Sequence, residues 1–170
     1  MNPPGKNILG DAVVEDQARV YGRAEVSGYA RVAGNAVVVD RAEVYGKAVV
    51  RDNAHVYGNA VVAGNAQVSG KAEVSGKAEV RDRAVVADFA EVIGSAVVGG
   101  DAVIEGDALM RGKAKVTGKA VVSGRAIVEG DAQVTGKARI GGTAEILGGK
   151  WTGREGEITT GRWKAPGVPA

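Results

Sequence analysis

One rule governs most of this chain: stepping by six from Ala12, alanine recurs at 23 consecutive positions through Ala144. Two residues after each alanine stands Val or Ile, with Met110 as the one departure. Two residues before each stands Gly or Asp, the aspartates being Asp16, Asp40, Asp52, Asp82 and Asp88. All three classes fall on even-numbered positions, so constrained and free residues alternate strictly. That is the period of a β-strand, with even residues inward and odd ones outward. A single strand cannot run so far. Gly or Asp every sixth residue supplies the break, because these residues tolerate left-handed backbone better than Ala or Val. Each six-residue word therefore reads as a short strand, Ala-x-Val-x, followed by a corner.

Two all-β architectures obey this grammar. A meander of short hairpins would leave one thin apolar face and long open edges. A coil closes the core, stacks Ala on Ala and Val on Val, and hydrogen-bonds each turn to the turns above and below. The composition favours the coil. With one Phe, two Trp and two Met among 170 residues, large side chains are too few for a conventional core, and a thin one lined by small residues fits better.

With Val26 then Ala30, Val32 then Ala36, and onward to Ile140 then Ala144, the pattern resembles the hexapeptide-repeat, left-handed parallel β-helix proteins. In that family an aliphatic residue and, four positions later, a small residue recur every six. The resemblance spans roughly residues 8 to 149. It implies three words per coil, a left-handed turn, about 8 coils stacked into a triangular prism about 38 Å long at an inter-strand spacing of about 4.8 Å, and trimeric assembly. The chain divides accordingly into a lead-in over 1–9, the repeat solenoid over 10–149 and a C-terminal cap or docking tail over 150–170.

Three words per coil sort the outward residues into three faces. The first carries Val13, Arg31, Val49, Gln67, Val85, Val103, Val121 and Arg139, beside Ala33, Arg51, Ala87 and Ser123. It is unexpectedly apolar, and Val49, Val85, Val103 and Val121 are the expected subunit contact, against the plain alternative that β-branched residues simply favour strands. The second face mixes Val37, Val39, Tyr57, Ile93, Leu109 and Ile127 with His55, Glu73, Glu91 and Arg111. The third, with Glu25, Glu43, Glu79, Arg81, Lys115 and Thr117, is the most polar.

Charge and composition narrow the function classes. Lys and Arg total 22 and Asp and Glu 20, interspersed along the chain for a net charge of +2. Basic residues precede many of the alanines, but acidic ones follow closely, as in KAEV at 71–74 and 77–80. Local neutralisation follows, and neither nucleic acid nor membrane is an expected partner. The chain has no cysteine, hence no disulfide or thiolate site, and no metal site is expected. MNPPGKNILG offers no apolar stretch suited to a signal peptide, so a cytoplasmic or virion-associated location is expected.

Many relatives by resemblance are acyltransferases using acyl-CoA, with a His as general base beside a subunit groove. The one histidine here, His55, stands at an outward position in DNAHVY, where Asn53 or Asn59 would position a substrate carbonyl. Elsewhere that position most often holds Val, Arg, Glu or Gln, which favours an ordinary surface residue. Both tryptophans, Trp151 and Trp163, lie beyond the repeat. There they read either as a small hairpin cap over the last open coil or, with the stretch KAPGVPA, as a tail that docks a protein partner. The leading reading is a non-catalytic, self-associating structural module, trimeric as the resemblance implies and without cofactor: a scaffold, spacer or virion component. An acyl-CoA-dependent acyltransferase using His55 and a bactofilin-like filament former are the alternatives.

Overall fold

The computed structural model describes residues 7–166 and 168–169. Pro3, Pro4 and Gly5 of the lead-in and Gly167 and Ala170 of the tail lie outside the described residues. All regular structure among the described residues is β: 27 strands, of which all but Arg162–Ala165 are two residues long. No helix is long and apolar enough to cross a membrane among the described residues.

The strands form three sheets of nine, ten and eight members, and up to Arg162–Ala165 successive strands of the chain go to successive sheets. Val13–Val14 begins the first sheet, Arg19–Val20 the second and Glu25–Val26 the third. Within a sheet the register advances by one turn of the chain: Val13 pairs with Arg31, Val85 with Val103 and Val80 with Val98, all parallel. The result is a β-solenoid of about eight turns. Its backbone is satisfied between turns, as where Val13 N–H donates to Ala30 O at 2.9 Å and Glu15 N–H to Val32 O at 3.0 Å.

The core is the stack that the six-residue rule dictates. From Ala24 to Ile146 every inward Ala, Val, Ile or Met is buried, most of them completely. Ala keeps the turns close, while Val fills the remaining space with a side chain suited to extended backbone.

The corners show why Gly and Asp share one position. Asp16, Asp40, Asp52, Asp82 and Asp88 all have positive φ, between 59° and 66°. Each stands one turn before a glycine whose N–H donates to the aspartate Oδ2: Gly34, Gly58, Gly70, Gly100 and Gly106, at 2.8–3.1 Å. The carboxylate thus repays part of the cost of left-handed backbone by pairing an N–H that the ladder leaves open. Crowding limits the substitution: a Cβ added at Gly70 would lie 2.8 Å from Asp88 N and O.

After Ile146 the chain makes one more turn instead of leaving the solenoid. Lys150–Trp151 pairs with Gln133–Val134, Glu157–Ile158 with Arg139–Ile140, and Arg162–Trp163 with Glu145–Ile146. The turn reaches the third sheet one residue early, so Gly149, not Lys150, takes the alanine place and Trp151 takes the valine place. A hairpin joining the two indoles, expected from the sequence, is therefore not what forms: Trp151 lies in the third sheet and Trp163 in the second. Val168–Pro169 then folds back antiparallel on Trp163 and Ala165.

Candidate functional site

Val49, Val85, Val103 and Val121 stand in one ladder of the first sheet, with Gln67 between Val49 and Val85. The run Val85–Val103–Val121 is unbroken over three turns, and all four valines are half-buried. Parallel pairing in register aligns their side chains one above the next, so sequence spacing alone builds a continuous apolar stripe. Ion pairs stand at the corners on either side. Arg83 pairs with Asp101 at 2.6 Å before these strands, and Arg125 reaches towards Asp107 at 3.9 Å after them. The stripe is thus apolar at its centre and charged at its margins.

Val49 belongs to different surroundings. It lines an open hollow of about 330 Å³ with Ala33, Gly34, Arg31 and Arg51. Both arginines are already neutralised, Arg31 by Glu15 and Arg51 by Asp52 at 3.1 Å. The hollow exists because Ala33 is small while Glu15 and Arg51, one turn either side, are long. That signal was present in the sequence column but was not read from it.

His55 is exposed on the second sheet, in register between Val37 and Glu73. Glu73 accepts a hydrogen bond from Tyr57 Oη at 3.0 Å, and the His55 ring makes no hydrogen bond among the described residues. Asn53 Oδ1 accepts from Asn35 Nδ2 at 3.3 Å, one turn away along the corner. His55 lines neither the hollow at Val49 nor the one at the C-terminal end. Among the described residues, neither of these two hollows brings a base and an orienting partner together at His55. Among the described residues no group of three or more His, Asp or Glu is arranged to hold a metal ion.

The two tryptophans do meet. Trp151 is almost wholly buried and Trp163 half-buried, with ring centroids 6.3 Å apart and planes at 75°. Each indole N–H donates to a carbonyl three residues earlier, Trp151 to Gly148 O at 2.8 Å and Trp163 to Thr160 O at 3.0 Å. With Ile158 they floor an open hollow of about 340 Å³ rimmed by Glu155, Glu157, Thr159 and Thr160. The Glu155 carboxylate is raised by desolvation but held below its ordinary pKa by stronger opposition: backbone N–H groups, including those of Thr152 at 3.0 Å and Gly153 at 2.8 Å, and the Thr152 hydroxyl.

Comparison of the chain with protein-family models, curated proteins and solved structures gives no match.

Proposed function

We propose that this chain is a non-catalytic structural module, a rigid prism that associates with copies of itself side by side through the first sheet. The observation that carries the reading is the unbroken Val85–Val103–Val121 ladder, half-buried in the single chain and flanked by the small Ala87. Covering such a stripe removes apolar surface from water at about 25 cal/mol per Å². A flat sheet face also offers shape complementarity to an identical face with little reorganisation.

The reading places the chain with the hexapeptide-repeat, left-handed parallel β-helix proteins, as a closed trimer serving as scaffold, spacer or virion component. The parallel three-sheet solenoid supports that placement. A mid-stripe charge tests it. Static light scattering of the wild type is expected to give one oligomer of constant mass, and Val103→Arg is expected to yield monomers. A monomeric wild type at high concentration would overturn the reading. So would titration with acetyl-CoA that gives saturable binding abolished by His55→Ala, which would install the acyltransferase instead.

A further inference from the structure

The two ends of the solenoid are not equivalent. At the C-terminal end the third sheet stops at Lys150–Trp151 and the first at Glu157–Ile158, each paired on one side only among the described residues. The second sheet alone continues, from Arg162–Ala165 to Val168–Pro169, and that pair is the one antiparallel pairing among the described strands. At the other end, the first turn among the described residues runs from Asn7–Leu9: Ile8 bridges Val26 in parallel, Val26 N–H donates to Asn7 O at 2.8 Å, and Leu9 N–H donates to Val26 O at 2.9 Å. Ile8, Val14 and Val20 thus mark the three inward places of that turn, on the same period as every turn after it.

Parallel ladders propagate by adding a like turn, and an open end is a template for one. We propose that the C-terminal end, floored by Trp151, Ile158 and Trp163, is a latent docking surface for the first turn of a second copy, held shut by Val168–Pro169. That strand occupies the edge where Arg19–Val20 of the second copy would add. It also offers no continuation, since its direction is reversed and Pro169 has no N–H to donate.

Register makes the contact specific. Continuing the first sheet sets Glu157 against Val13 of the second copy, and continuing the second sheet sets Arg162 against its Arg19. Arg162 is paired with Glu145 at 2.7 Å, which tempers the repulsion, and what is left of it adds to the block. The Glu157–Val13 pair supplies a handle, because Val13 is 46% exposed and its replacement leaves the core untouched. The inference rests on the fold alone. Side-by-side packing gives a closed oligomer of fixed size, whereas end-to-end docking gives rods that lengthen with concentration.

The test compares the 170-residue chain with one ending at Ala165, by sedimentation velocity and negative-stain electron microscopy. Rods are expected from the shortened chain and not from the full one. Arg19→Glu in the shortened chain should lower the concentration at which rods begin by about threefold, the effect of one favourable cross-strand pair. Val13→Glu, placing like charges against Glu157, should raise it by a similar factor, and adding Glu157→Lys should reverse that rise. A shortened chain that keeps its strand circular dichroism and tryptophan emission yet forms no rods overturns the proposal, as do rods indifferent to all three charge changes. A shortened chain that fails to fold moves the comparison to the full chain carrying Val168→Pro, where rods are again expected and their absence is again decisive.

Discussion

In the turn that closes at Ile146, the inward places hold Ala132 with Val134, Ala138 with Ile140, and Ala144 with Ile146. In the turn after it, the corresponding places hold Gly149 with Trp151, Gly156 with Ile158, and Gly161 with Trp163. A turn inside the stack has neighbours above and below, so small uniform residues suffice and any turn resembles the next. The last turn lacks a neighbour on one side. It trades each alanine methyl for nothing and sets indoles in the places of Val134 and Ile146, with Ile158 keeping the place of Ile140, so that two large rings spread over the stack end while each N–H returns to a local carbonyl.

The sharpest way to break the comparison is to treat an interior turn as if it were an end. Val74 is fully buried in the middle of the repeat. Val74→Asp leaves a carboxylate without a partner there and is expected to cost about 4 kcal/mol or more. Because each turn contacts only its neighbours, chemical denaturation should then show two transitions in place of one.

Next comes the end itself. Trp151→Ala should cost about 3–5 kcal/mol, as for other buried aromatics, and Trp163→Ala less, because that ring is half-buried. Selective loss of near-ultraviolet circular dichroism, with the strand signal kept, would show the last turn loosening ahead of the repeat. Equal costs for the two would mean that the turn does not distinguish its two rings.

A smaller effect separates the two kinds of corner. Asp52→Ala keeps the left-handed backbone but loses the acceptor for Gly70 N–H, and should cost about 2 kcal/mol. Asp52→Gly loses the same acceptor without backbone strain and should stay within about 1 kcal/mol of wild type. Thermal unfolding of the two variants decides this, and a larger loss for the glycine variant would contradict the account of the corners.

The smallest expected effect is a pH dependence confined to the last turn. The Glu155 pKa is depressed in the folded chain, so its contribution is present above the unfolded carboxylate value and is lost as pH falls through the folded one. Tryptophan emission should therefore respond to acid in the wild type, and Glu155→Gln should remove part of that response. An identical acid profile in the variant would remove Glu155 from the account.

The repeat was legible because each inward class recurs in phase, and period two fixes the facing of every residue once one is known. Three words to a turn came from the resemblance to the hexapeptide-repeat proteins and not from the period, and with that grouping Val85, Val103 and Val121 fall in one ladder. The last turn was not legible for the same reason. The turn arrives one residue early at Trp151, is back in phase at even-numbered Ile158 and is early again at Trp163, so a continuing turn reads as the end of the pattern. The pairing of each corner aspartate with a glycine N–H one turn on was also missed, although all five Asp-to-Gly spacings are equal. For His55 the sequence favoured an ordinary surface residue, and it carried no information on a groove formed with other copies.

The central claim is that copies meet through the first sheet, and the absence of native cysteine permits a direct measurement. Single nitroxide labels at Gln67→Cys on the first sheet, His55→Cys on the second and Gln133→Cys on the third occupy exposed outward positions on three different faces. Pulsed electron–electron resonance is expected to give a short intermolecular distance from position 67 and none of comparable length from 55 or 133. No coupling at 67, or the shortest distance at 55, would contradict the account, and the latter would place His55 in a subunit groove.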